Sequence, residues 1–406
     1  MKTNNTFNRF SDFVRCPKWK GHPLSHFLKE RKEKSDGIAT VHSVSLQYGL
    51  VNQVDYLGRN YAAEDTSNYK LVYPNDVVYT KSPTGAFPYG IIKQNRNPYK
   101  VIVSPLYGVF KPINKYIGYI IQSYFEVPNR LNKYLSPIIQ KGAKNTINIS
   151  NSTFISKEVV LPENEQEQKK IAQCLASINT QIRQQQKQID VLIQHKKALL
   201  QQLFPQRGQS TPLLRFPEFI HTGEWRYEDG GNLFMPISHR NNDNSLPILA
   251  ISQDYGAVPR EDINYSVFVG EESLANYKLI EKGDFVISLR SFQGGIEYSN
   301  IKGLCSPAYV VLRKKKDLHE LFYKYYFKTS LFIHELNKNL EGIRDGKIIS
   351  YAQFAEIQIP VPPTKEEQIK VANYFILVDK LIFTNSSKLE KLQQHKTALL
   401  QQLFPN

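Results

Sequence analysis

The sequence predicts an α+β protein built twice over: two mixed α/β domains joined by two long helices packed as an antiparallel coiled coil. Three observations carry this. Residues 194–205 (QHKKALLQQLFP) and 394–405 (QHKTALLQQLFP) agree at 11 of 12 positions at an offset of 200, which holds back through Glu167-Gln168 and Glu367-Gln368 to Pro162 and Pro362. The segments that end in these repeats space their apolar residues alternately four and three apart, the signature of a left-handed coiled-coil seam. Upstream of each, short β-like runs broken by Gly, Pro, Asn and Asp recur in the same order.

The expected division is therefore a first domain over 1–160, a helix in 161–206, a second domain over 207–360 and a second helix in 361–406. The first domain opens with RFSDF (9–13) and Trp19; the second opens with RFPEF (215–219) and Trp225, at an offset of 206. VHSVSLQYGLV (41–51) matches LAISQDYGAV (249–258) through Ser45/Ser252, Tyr48/Tyr255 and Gly49/Gly256. NDVVYT aligns with GDFVIS (283–288), and SPLYGV (104–109) with SPAYVV (306–311). Helical patterns follow in both copies, INKYIGYIIQSYF (113–125) then NRLNKYL, and LHELFYKYYFKTSLFIHELN (318–337). The offset drifts between these anchors, so the scaffold is kept while the loops differ.

In the first helix the seam runs Ile171, Leu175, Ile178, Ile182, Gln185, Ile189, Leu192, Lys196, Leu199, Leu203; in the second, Val371, Phe375, Val378, Ile382, Asn385, Leu389, Leu392, Lys396, Leu399, Leu403. Pro162 and Pro363 precede the helices, carboxylates fill their first turns, and Pro205 and Pro405 end them. Each span makes a rod of roughly 60 Å. Parallel, in-register packing would set Lys196 against Lys396 with no counter-charge. Antiparallel pairing within the chain separates them, with a near two-fold axis through the rods.

With 41% apolar residues and 12% aromatics the chain is globular, and no apolar run approaches the ~18 residues that span a bilayer. The N-terminus has no apolar signal core, which points to the cytoplasm. Cys16, Cys174 and Cys305 lie far apart without metal-ligand spacing, so they read as structural filler and no metal site is expected. A net charge of +15 suggests a polyanionic partner, with nucleic acid foremost. The charge is uneven: residues 1–206 hold 28 basic against 14 acidic residues, and residues 207–406 hold 24 against 23.

No catalytic residues emerge. Asn97-Pro98-Tyr99 is one proline short of the tetrapeptide that holds a flipped adenine, and no glycine-rich cofactor turn precedes it. GIRDGKII (342–349) has the wrong spacing for a phosphate loop. What remains is binding chemistry: cations with Tyr, Asn and Gln in loops suit phosphate contacts and base-edge hydrogen bonds. The candidate DNA-binding residues are Arg59, Lys81, Lys93 and Arg96 in the first domain, and Arg240, Arg260, Arg290 and Gln293 in the second. The LRSFQGG loop (289–295) stands out, because Gly294 and Gly295 would let backbone approach a ligand. The run Arg313 to Lys316 suits a phosphate contact or bare surface.

These features together resemble the specificity subunit of a type I restriction-modification system. They are two variable domains, each followed by a proline-bounded helix with Glu-Gln near its start (EQEQKKIA, EEQIKVA) and a KxALLQQLFP ending. The resemblance implies two target-recognition domains on double-stranded DNA, and no catalysis by this chain. It implies assembly with two methyltransferase subunits that use S-adenosylmethionine and with motor-nuclease subunits that use ATP and Mg2+. The outward faces of 163–204 and 363–404 would then dock the methyltransferase subunits. The alternative is a stand-alone, sequence-selective DNA-binding scaffold using the same rods to dock other proteins.

Overall fold

A computed structural model describes residues 9–58, 64–141, 147–240, 245–253, 255–263, 276–338 and 349–404. The chain forms two compact units, Met1–Gln186 together with Ser387–Asn406, and Lys187–Ser386. Among the described residues, no helix is long and apolar enough to cross a membrane.

Both units are built on one plan. In the first, a four-stranded antiparallel sheet takes the spatial order Leu28–Glu30, Gly108–Pro112, Val77–Tyr79, Ile92–Gln94. In the second the order is Phe234–Ile237, Val310–Lys314, Phe285–Ile287, Glu297–Tyr298. Each unit adds a hairpin, His42–Ser45 with Gly49–Asn52 or Leu249–Ser252 with Gly256–Pro259. Each also has a two-stranded pair, Lys70–Val72 with Val101–Val103 or Lys278–Ile280 with Gly303–Cys305. The runs aligned in the sequence thus fold as the same elements.

The helical pattern over 318–337 forms two helices, Glu320–Tyr326 and Ser330–Asn337. Thr329 breaks it: its hydroxyl accepts the Phe332 N–H at 3.2 Å and caps the second helix. In the first unit Pro128 begins the corresponding second helix, Pro128–Leu135.

The long helices span Glu165–Gln202 and Lys365–Leu403. In the first unit Ile171, Ala172 and Leu175 from the start of one share a core with Leu400, Leu403 and Phe404 from the end of the other. In the second unit Leu199, Leu203 and Phe204 meet Val371, Ala372, Phe375 and Val378. In both, a helix start packs on a helix end, which is antiparallel pairing. The remaining apolar seam positions are buried or half-buried: Ile178 and Ile189 buried, Ile182, Leu192, Ile382, Leu389, Leu392 and Leu399 half-buried.

The repeated LFP ending has a packing reason. Phe204, 2% exposed, sits among Trp225, Phe322, Tyr326 and Phe375 with ring centroids 5.1 to 6.5 Å away. Phe404 lies 6.2 Å from Trp19 and 5.5 Å from Tyr124. Arg130 also reaches it, donating to the Leu400 and Phe404 carbonyls left open at the helix end.

The seam lysines find carboxylates inside their own units. Lys196 pairs with Asp379 at 2.6 Å, and Lys396 pairs with Glu126 at 2.6 Å. Of the expected helix ends, Pro205 is buried, whereas Pro405 lies outside the described residues.

Candidate nucleic-acid interface

The frame that holds each domain on its helix comes from the Arg-Phe, Trp and Glu-Gln motifs. Arg9 clamps Glu167 through Nε (2.8 Å) and Nη2 (2.5 Å), while the Trp19 indole N–H donates to the same carboxylate at 3.1 Å. Arg215 does the same to Glu367 at 2.7 and 2.8 Å, with Trp225 at 3.1 Å. Both carboxylates are 1% exposed and saturated by charge-assisted donors at a helix N-terminus, where negative charge is favoured. The adjacent glutamines bind the other side: Gln168 accepts from Asn114 at 2.8 Å, and Gln368 accepts the His319 N–H at 2.9 Å.

Within each sheet a buried aspartate carries a bidentate arginine. Arg31 grips Asp76 at 2.6 and 3.1 Å; Arg313 grips Asp284 at 2.7 Å through both nitrogens. Arg31 directly follows the strand Leu28–Glu30 whereas Arg313 lies in the strand Val310–Lys314, so the pair is kept while its source has moved. For Arg313 this replaces the reading as phosphate contact or bare surface, whereas Lys315 and Lys316 are exposed as that reading has them. Besides Arg313, Lys314 pairs with Glu320 at 2.7 Å, Lys315 donates to the Gly231 carbonyl and Lys316 pairs with Glu228.

The candidate DNA-binding residues divide in the same way. Lys93 is only 5% exposed and pairs with Glu126 at 3.0 Å, so its ammonium is spent inside the first unit. Burial pushes Lys81 below the ordinary lysine range, and its backbone takes a left-handed φ of 56°. Arg96 is exposed, with its guanidinium 5.1 Å over the Tyr119 ring. Arg59 lies outside the described residues.

In the second unit, exposed Arg240 donates to Asn276 at 3.1 Å, and half-buried Arg260 donates to the Tyr277 hydroxyl at 3.4 Å, so both gather at one strand start. Arg290 and Gln293 are exposed on and beside the short helix Ser291–Gly294. That helix is tied to the hairpin, because the Gln253 side chain donates to the Arg290 carbonyl at 2.9 Å.

Gly294 and Gly295 are closely packed by neighbouring residues. A Cβ on Gly294 would lie 2.7 Å from Gln253, and one on Gly295, whose φ is +79°, would lie 1.9 Å from the Phe327 carbonyl oxygen. The three cysteines are unbridged; Cys305 is buried, which pushes its thiol up to about 12, and Cys16 and Cys174 are half-buried. GIRDGKII falls almost wholly outside the described residues.

The hairpin tips also expose two tyrosines absent from the sequence-based set, Tyr48 at 53% exposure and Tyr255 at 70%. Their recurrence in the two aligned runs was the available signal.

Residues 231–394 match the family model described as the type I restriction modification DNA specificity domain. The chain is 24% identical over 277 residues to the protein assigned as the type I restriction enzyme MjaX specificity subunit of Methanocaldococcus jannaschii. That match covers 66% of this chain and 63% of the relative, under two thirds of its length. In three dimensions it resembles the crystal structure of a type I restriction-modification system S subunit from M. genitalium. The TM-score is 0.57 at 12% identity, over 100% of this chain and 98% of the other. A second likeness is to a chain solved in work on complex assembly and conformational transition of the type I R-M system. Its TM-score is 0.52 at 17% identity, over 96% of this chain and 98% of that one. These likenesses establish the fold.

Proposed function

We propose that this chain, which belongs with the type I restriction-modification specificity subunits, is the DNA sequence-recognition component of such a system. It reads an asymmetric bipartite target and directs adenine-N6 methylation or ATP-dependent cleavage by partner subunits. The observation that carries this reading is one sheet-and-hairpin fold made twice, with different side chains on its exposed parts. Equal folds bind in equal fashion; unlike surface groups select unlike sequences. Two unlike half-sites are the consequence.

The catalysis lies elsewhere. Two methyltransferase subunits hold S-adenosylmethionine and dock on the long helices, while motor-nuclease subunits hold ATP and Mg2+. The complex works in the cytoplasm, where the chain's +15 charge draws it to duplex DNA in a salt-dependent way.

The test is to compare the purified chain with the reconstituted complex. Alone, it is expected to bind no S-adenosylmethionine and to show little sequence selectivity. With methyltransferase subunits it should select one duplex sequence. Tight, selective binding by the chain alone would instead favour the stand-alone scaffold.

A further inference from the structure

The two hairpins share more than their strands. Ser45 pairs with Gly49 across the first and Ser252 with Gly256 across the second. In both, the serine hydroxyl accepts the tyrosine N–H, Tyr48 or Tyr255, at 3.3 Å. In both, the following glycine takes a left-handed φ, +77° and +74°. Between these fixed points the tips read Leu46-Gln47 in one copy and Gln253-Asp254 in the other. Duplication has let the flanking residues diverge and kept an aromatic ring at the same place, facing water twice. An exposed ring on a turn pinned by the serine–tyrosine hydrogen bond describes a contact residue that loses little conformational freedom on binding.

We propose, resting on the DNA-recognition reading above, that these hairpin tips are the base-contacting edges of the two units, with Tyr48 and Tyr255 as the contact residues. A two-stranded ribbon fits the major groove, which is about 12 Å wide. The surroundings of the two rings give each tip its own chemistry. Tyr48 lies 5.9 Å from the Tyr56 ring, whose hydroxyl accepts a hydrogen bond from Ser45 at 3.3 Å, with Leu46 and Val54 also exposed. This apolar, aromatic tip suits thymine methyls and sugar faces. Tyr255 stands on the hairpin whose Gln253 donates to the Arg290 carbonyl, which ties the short segment bearing the exposed Arg290 and Gln293 to the same hairpin. Those groups suit the acceptor edge of guanine and the N6/N7 edge of adenine. The half-site read by the second unit therefore contains a purine contacted by Arg290 or Gln293, and the half-site of the first unit is richer in A·T pairs.

The experiment uses the full chain assembled with its methyltransferase subunits, as wild type, Tyr48→Ala and Tyr255→Ala. It measures the dissociation constant for a duplex carrying the wild-type motif, the methylated motif across a genome, and assembly by size exclusion. Each variant is expected to assemble normally, to bind the duplex about tenfold more weakly, and to relax base preference in one half-site only, a different one for each tyrosine. The proposal is overturned if both variants keep the wild-type affinity and motif. It is equally overturned if they lose assembly while the assembled fraction reads DNA normally, since the tips would then hold a protein. A wild-type complex that methylates no defined motif would instead remove the recognition reading itself, so the two failures are told apart.

Discussion

Arg215 grips Glu367 across 152 residues, Nε to Oε1 at 2.7 Å and Nη2 to Oε2 at 2.8 Å, with the Trp225 indole completing the cage. The lead-in of the second domain is thereby fastened to the first turn of the helix that follows it. Arg9, Trp19 and Glu167 repeat the device in the first unit. Removing one partner from a buried pair strands the other charge. Arg215→Ala should therefore cost about 3 kcal/mol, and Arg215→Lys should recover little of it, because an ammonium cannot make the two-pronged contact. Arg9→Ala should cost a similar amount, and the double variant should approach the sum, since the sites share no partner. Chemical denaturation of the four proteins checks this.

Phe204 and Phe404 explain why the helix ends repeat so closely: each plugs the base of its own unit. Phe204→Ala removes a ring from a fully aromatic box and should destabilise by about 3 to 5 kcal/mol, with the loss confined to the second unit. Hydrogen exchange resolved by segment should show protection lost around Trp225, Phe322 and Phe375 and kept around Tyr79 and Phe154.

Glu126 is held by Lys93 at 3.0 Å and Lys396 at 2.6 Å. Burial alone would raise its pKa, but the two ammonium groups outweigh this and hold it below the ordinary value of 4.5. A carboxyl whose pKa is depressed on folding contributes stability above that ordinary value and loses it as pH falls through the lowered one. Glu126→Gln should accordingly be less stable than wild type at neutral pH, with the difference shrinking on acidification below 4.5. Thermal melts from pH 7 to pH 3 measure it. By contrast Lys196 and Asp379 are each about a third exposed, so Asp379→Asn should cost at most about 1 kcal/mol, and less in high salt.

If the long helices set the distance between the two readers, removing one heptad from each takes out about 10 Å of rod. The preferred spacer between half-sites should then change by about three base pairs. A methylation assay on duplexes of graded spacer reads this, and an unshifted preference counts against the ruler.

Periodicity made the helices, their seam and their antiparallel sense legible, because apolar spacing and the two seam lysines are local properties of the chain. The doubled plan was legible from Ser45/Ser252, Tyr48/Tyr255 and Gly49/Gly256, which fix turns by chemistry alone. The cages on Glu167 and Glu367 were visible only as separate motifs, since nothing local says that Arg9 and Trp19 converge on a helix almost 150 residues onward. The same reason hid the fates of Lys93 and Arg313. A cation in a loop-like string looks available until the fold supplies Glu126 or Asp284. Arg290 and Gln293 remained exposed, and the tertiary contact that ties their segment to the hairpin, from Gln253 to the Arg290 carbonyl, is not visible in the sequence.

The central claim is that one chain carries two related but dissimilar DNA readers. The most direct measurement is a genome-wide map of N6-methyladenine in cells with and without this chain. The account predicts a methylated motif of two unlike half-sites around a fixed, unread spacer, present only when the chain is present. A map that does not change when the chain is removed, or a motif that is continuous or palindromic, would contradict it.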